Sequence, residues 1–380
     1  MRRWFEPVLA GLCLGYVLAL ALLWARGQWI LDAGGHPQKV DFLSFHAAGW
    51  FADHGRAIAA YDWRKMHAFH ETMVGAPFSG FFGWAYPPLF FPLVMVLALL
   101  PYAMAFFLWV VGSLALLAWG LWRIGGRGAL LLGLALPPIL GNALVGQNGF
   151  LTAALFAGAL LTLPRKPLLS ALLIALLTYK PHFGILIPVA LMAGGYWRAL
   201  IAATMLVLLH AAGCWLLMPD LAAAFLHNLV QNNGMFLADG SAGFFKLQSL
   251  YGALRGLGAS SLLAWSAQSL LTVGTAVLLA MLWRRGIAFP PKAAALAVSA
   301  LLAMPYVYFY DLPLLSVALA FLWRDRPFEK TEMAAILVMM FLLGLCALVT
   351  APLGLPAVAI CAGLVVRRSR MTWAPSFRPS

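Results

Sequence analysis

Among the residues of this 380-residue chain that could do chemistry, one stretch stands out. It holds Asp41, Phe42, Ser44, Phe45, His46, Trp50, Asp53, His54, Tyr61 and Asp62, and Trp84-Ala85-Tyr86-Pro87-Pro88-Leu89 follows. At helical spacing Asp41, Ser44, Phe45 and Ala48 share one face, which sets a carboxylate among aromatic and small side chains. Such neighbours desolvate a carboxylate and raise its pKa into the range of a useful general base. Asp opening a helix is also a favoured N-cap, so Asp41 has a catalytic and a structural reading.

Other candidates stand at short polar tips between apolar runs. Lys180 and His182 flank Pro181. A lysine at membrane depth calls for an anion, and a phosphate is a natural one; the alternative is a side chain reaching up to the surface. Asp311 closes the run Tyr306-Val307-Tyr308-Phe309-Tyr310 and could pair with Lys180 or bind a sugar hydroxyl. Gln147 and Asn148 suit hydroxyl recognition, although Asn-Gly is also ordinary turn chemistry. Lys246, Arg255 and His227 read equally as phosphate ligands or as solvated loop groups. A metal held by Asp41, Asp53, Asp62 and Glu71 would favour closely spaced acids. No Asp-x-Asp pair occurs in the loop, so a divalent metal is possible there but not favoured, and no cofactor is expected. His46 and His54 read as surface or hydrogen-bonding groups. Glycine-rich phosphate loops, zinc signatures and a Ser-His-Asp arrangement are absent.

The elements that must position these groups are apolar. Hydrophobic residues make up 63% of the chain and charged residues 10%, against about 25% charged in soluble domains. The chain therefore reads as an all-α polytopic membrane protein. Its net charge of +13 is lopsided: 17 of 25 Lys and Arg fall in short segments on one side, while the other side balances eight bases with eight acids. That is the pattern of the positive-inside rule, and nucleic-acid binding is set aside on it. Cys13, Cys214, Cys346 and Cys361 all lie in apolar runs and show neither disulfide nor metal spacing.

Along the chain, a basic start places the N-terminus in the cytoplasm and 7–25 forms the first span. Residues 26–101 make a long external loop with helices expected at 41–54 and 62–75. Residues 87–100, only about 14 apolar residues flanked by prolines, are taken as a surface helix rather than a crossing. Spans then follow at 102–122, 128–142, 149–163, 168–179, 183–197 and 199–217, a second external loop covers 218–259, and 260–283, 293–305, 312–323, 331–349 and 354–366 complete twelve crossings in one domain. Several runs are too short for a core of about 30 Å, so their tips must lie below the outer surface and line a protein or wet cavity.

Asp41-Phe42 with Ala47-Ala48, Gly55 and Tyr61-Asp62 resembles the opening of glycosyltransferase family 87. Tyr86-Pro87-Pro88-Leu89, Gly146-Gln147-Asn148, Lys180-Pro181 and Tyr310-Asp311-Leu312 resemble its later motifs in order, over about residues 38–325. The resemblance implies a bundle of the GT-C type in the plasma (bacterial inner) membrane, both termini cytoplasmic and the site facing outside. It implies an inverting transferase that moves mannose, another hexose or arabinofuranose from a polyprenyl-phosphate donor to a lipid- or glycan-linked acceptor. Asp41 would be the base. Lys180, His182, Gln147, Asn148, Asp311, Tyr86, Tyr308 and His46 would bind substrate. The rival is a transporter or flippase, which would need polar residues deep in the inner half as well.

Overall fold

The computed structural model describes residues 2–80, 82–233, 243–346, 348–349 and 351–371. Described helices are α1 (Arg2–Ala25), α2 (Phe42–Asp53), α3 (Trp63–Val74), α4 (Phe91–Ala98), α5 (Tyr102–Leu134), α6 (Pro137–Val145), α7 (Gly149–Thr162), α8 (Pro167–Leu176) and α9 (Ile187–Ala193). They continue with α10 (Trp197–Leu217), α11 (Pro219–Asn233), α12 (Leu250–Gly256), α13 (Ser261–Arg284), α14 (Phe289–Leu302), α15 (Leu314–Asp325), α16 (Lys330–Leu345) and α17 (Gly354–Met371). Among the described residues the extended pairings are isolated bridges such as Leu247 with Tyr308.

Four helices, Phe5–Ala25, Tyr102–Leu134, Trp197–Leu217 and Ser261–Arg284, are long and apolar enough to cross a membrane. Most side chains of the first, third and fourth face outwards from the protein, so hydrocarbon is their natural cover. At the other extreme is α15, whose residues from Leu314 to Trp323 are all buried. A helix apolar all round belongs inside a bundle, and α5, α7, α14 and α17 pack around this one.

The expected twelve crossings do not map one for one onto helices. Residues 128–142 are not a single span. α5 doubles back at Gly125-Gly126, where Gly126 takes φ 68°, and Pro137 starts a separate α6. The reversal is tight: a Cβ on Gly133 would lie 2.6 Å from Leu121 Cδ1, residues that a straight helix would hold about 18 Å apart. Residues 183–197 likewise reduce to the seven-residue α9 behind the 3₁₀ turn Pro181–Gly184. Residues 87–100 contain the eight-residue α4, about 12 Å long, which packs on α2.

The bundle has two unlike ends. At the basic end Arg127 approaches Glu6 at 4.0 Å. Arg367 bonds Glu329 at 2.6 Å, and the fully buried Arg368 bonds Glu332 at 2.7 Å while lying 4.3 Å from the Phe328 ring centre. The arginines near the C-terminus are thus partly structural and not simply a solvated tail. The other end carries the loops and polar tips.

Candidate active site

Asp41 precedes α2 with φ −56° and ψ −28°, already helical, and its side chain makes no capping hydrogen bond. Asp62 does cap, accepting from the backbone N–H of Arg64 and Lys65 at 3.0 and 3.3 Å. The structural reading open to Asp41 therefore belongs to Asp62. The Asp41 carboxyl instead meets the side chain of Gln147.

The local sequence explains why Gln147 is there. Gly146 ends α6 at φ 67°, and a Cβ on it would come within 2.7–2.8 Å of Phe106 and Phe42. A glycine is required both by the turn and by the close approach of α2 and α5. Across the turn, Asn142 Oδ1 accepts from the Gly149 N–H at 3.1 Å, clamping the tip. Gln147 Oε1 then accepts from the Tyr86 hydroxyl at 3.2 Å and from the Asn148 N–H at 2.9 Å. With its oxygen occupied twice, the amide presents its donor end to the Asp41 carboxyl, whose charged form it favours.

A second tip comes alongside. Lys180 Nζ and Asp311 Oδ1 are 2.6 Å apart, both buried, and Asp311 Oδ2 accepts from the Tyr308 N–H at 3.0 Å. The rings of Tyr310 and Phe183 flank the ammonium at 5.4 and 5.6 Å. Of the two partners considered for Lys180, the structure supplies the carboxylate. Asn148 is fully buried, and its backbone carbonyl accepts from Thr152 and from Tyr179.

The second loop closes the group. Gln248 N–H donates to the Val307 carbonyl at 2.6 Å, and the Gln248 side chain accepts from Gly354 N–H at 2.8 Å and donates to the Lys246 carbonyl at 3.2 Å. This ties exposed Lys246 to the tip carrying Tyr308 and Asp311. Burial lifts the Asp41 carboxyl to about 6; Lys246, the Gln147 amide and Lys180 pull it down, and Asp311 pushes it up.

Asp41, Tyr86, Gln147, Asn148, Lys180, Tyr308 and Asp311 are thus brought to one end of the bundle. His182 stands beside Tyr306, with ring centres 4.8 Å apart. His46 bonds the Leu100 carbonyl at 3.2 Å between the rings of Phe42 and Tyr102, and so joins α2 to the start of α5. Asp62 caps, and Glu71 accepts from Phe78 N–H and lies 3.4 Å from His67. Among the described residues no three metal-ligating side chains cluster. Arg255 bonds Ala259 and lies over Phe244, and His227 is exposed on α11. Residues 234–242 of this loop lie outside the described residues. Sequence reasoning passed over Asn142, Tyr179 and Gln248. Asn142 and Gln248 carried a signal as lone amides beside apolar runs; Tyr179 carried none, because tyrosine is common in such runs.

A polar nest at one end of an apolar helical bundle defines an integral-membrane protein with its reactive groups gathered at that end. The model of glycosyltransferase family 87 matches residues 84–305, more than half of the chain. The chain belongs to that family and is a membrane glycosyltransferase. The match is narrower than the resemblance of the motifs: it contains Tyr86, Gln147, Asn148, Lys180, His182 and Lys246, and leaves Asp41 and Asp311 outside. No curated protein and no solved structure matches the chain.

Proposed function

We propose that the chain is an inverting glycosyltransferase of the GT-C type that takes a hexose, mannose foremost, from a polyprenyl-phosphate donor at the outer membrane face. The observation carrying this reading is Asp41: a carboxyl free of capping duty, raised towards neutrality, and met by the oriented amide of Gln147. Asp41 takes the proton of an acceptor hydroxyl on a lipid- or glycan-linked sugar. The hydroxyl oxygen attacks the anomeric carbon, the bond to the phosphate oxygen breaks, and polyprenyl phosphate leaves with that electron pair. Lys246, exposed beside Asp41, meets the phosphate. Asn148, Tyr308 and His182 face the sugar, and the Lys180–Asp311 pair holds the tip that carries Tyr308 in place. No cofactor enters, since the leaving group is already a phosphate.

A transporter would need a polar path through both ends. Here the buried ion pair of Arg368 with Glu332 and the rings of Trp323 and Phe328 occupy the basic end, which supports the enzyme reading.

The direct test is transfer of radiolabelled sugar from polyprenyl-phosphate mannose to membrane acceptors by the purified full chain. Incorporation that vanishes without the polyprenyl phosphate supports the reading; labelling from a nucleotide sugar alone sinks it. Within that assay Lys246→Met is expected to raise the donor KM about tenfold or more, the loss of a hydrogen bond to a charged group. An unchanged KM would remove Lys246 from the donor site.

Orientation is tested by impermeant thiol labelling in intact cells, starting from a variant without the four free cysteines. Exposed Asp53 and Arg127, at the two ends of the bundle, are the reporter positions. Asp53→Cys should label and Arg127→Cys should not; the reverse pattern overturns the outward-facing site.

A further inference from the structure

At the end remote from Asp41, the lipid-facing surface is cut by a cleft of about 230 Å³ between α13, α14 and α17. Leu278, Leu282, Val298 and Val365 form its walls, and the small side chains of Ala295 and Ala362 leave the space. It is smaller than the roughly 300–1,000 Å³ of pockets that engulf a drug-sized ligand, and suits a segment of a hydrocarbon chain.

Two arginines, Arg285 and Arg370, stand on this cleft, and both are exposed. Their neighbours make them notable. Of the three arginines closing α17, Arg367 is matched by Glu329 and Arg368 by Glu332. Arg370 and Arg285 have no carboxylate partner among the described residues. A cationic pair over an apolar slot in a membrane-spanning surface complements one kind of molecule in both charge and shape.

We propose that this cleft binds an anionic glycerophospholipid of the leaflet at the basic end, one acyl chain lying between α13 and α17 and the phosphate held by Arg285 and Arg370. The site is separate from the catalytic one and does not rest on the donor assigned above. A donor whose phosphate reacts near Asp41 has its head at the opposite end.

The full chain, purified in detergent and given equimolar phosphatidylglycerol and phosphatidylcholine, is read by native mass spectrometry. The parent protein should retain phosphatidylglycerol by about thirtyfold, the effect of two arginines on an anionic lipid. Arg285→Gln with Arg370→Gln should bring retention within threefold of parity, and the corresponding double Lys variant should keep most of the preference. Val366→Trp, at a half-exposed wall position where a larger ring can cover the slot, should release the lipid with both arginines present. Parity in the parent protein overturns the proposal. So does full preference in the Gln variant. Full preference in the Trp variant overturns it too, because charge alone would then attract lipid with no cleft involved. Elution volume and melting temperature confirm that each variant is folded.

Discussion

Asp41→Asn should lower the sugar-transfer rate by 10²–10⁴-fold, the usual contribution of a positioned base, while the protein remains folded. The stability expectation has a definite sign. Burial raises the Asp41 carboxyl to about 6 in the folded chain, above its value of about 3.9 when unfolded. The protonated form is therefore favoured by folding. The associated stability is complete below about pH 4 and is lost as pH rises through about 6. At neutral pH the ionised carboxylate costs up to about 3 kcal/mol, so Asp41→Asn should melt at or above the parent temperature. Loss of a cap would lower it instead. For the parent enzyme, the rate should rise with pH through about 6 and level off above, because only the carboxylate accepts a proton. A transfer rate within threefold of the parent at saturating donor and acceptor would rule out Asp41 as base. Asp62 could not then inherit the role, since its carboxylate caps α3.

Lys180→Met should destabilise the protein by about 3–5 kcal/mol, because it leaves the buried Asp311 carboxylate without its cation. Pairing it with Asp311→Asn should restore most of the melting temperature, since a neutral amide tolerates burial far better than a lone charge. The double variant then separates architecture from donor binding. With the phosphate at Lys246, its donor KM should stay within threefold of the parent value. A KM raised tenfold in a double variant of normal stability would return the phosphate to Lys180. Thermal melting and the transfer assay together decide this.

Much of the site was readable from residue types at unusual places. Asp41, Gln147, Lys180 and Asp311 stand out as polar groups bordering long apolar runs, where an unpartnered polar group is too costly to be accidental. The helices around Asp41 were equally legible: α2 and α3 occupy the expected 41–54 and 62–75 within a residue at each end. Amphipathic spacing, the Asp62 cap and the left-handed Gly75 are local signals, complete within one turn of chain. The number of crossings was not legible. A run of apolar residues looks the same whether it forms one straight span or, as 128–142 does at Pro137, two short pieces, whereas the break at Gly125-Gly126 was marked by Arg123 and Arg127 between the expected 102–122 and 128–142.

By itself, then, the sequence determined the membrane setting, the helical class and the set of polar residues that had to find partners. Only the tertiary structure decided which partner each one took. Asp62 rather than Asp41 became the cap, Asp311 became the counter-charge of Lys180, and Lys246 was tied through Gln248 and the backbone of Val307 to the Asp311 tip, where its charge acts on Asp41. The physical reason is range. Helix propensity and capping act over three or four residues, whereas Lys180 and Asp311 lie 131 positions apart. Partners so distant meet only in the packed bundle, where α5, α7, α14 and α17 surround the buried α15.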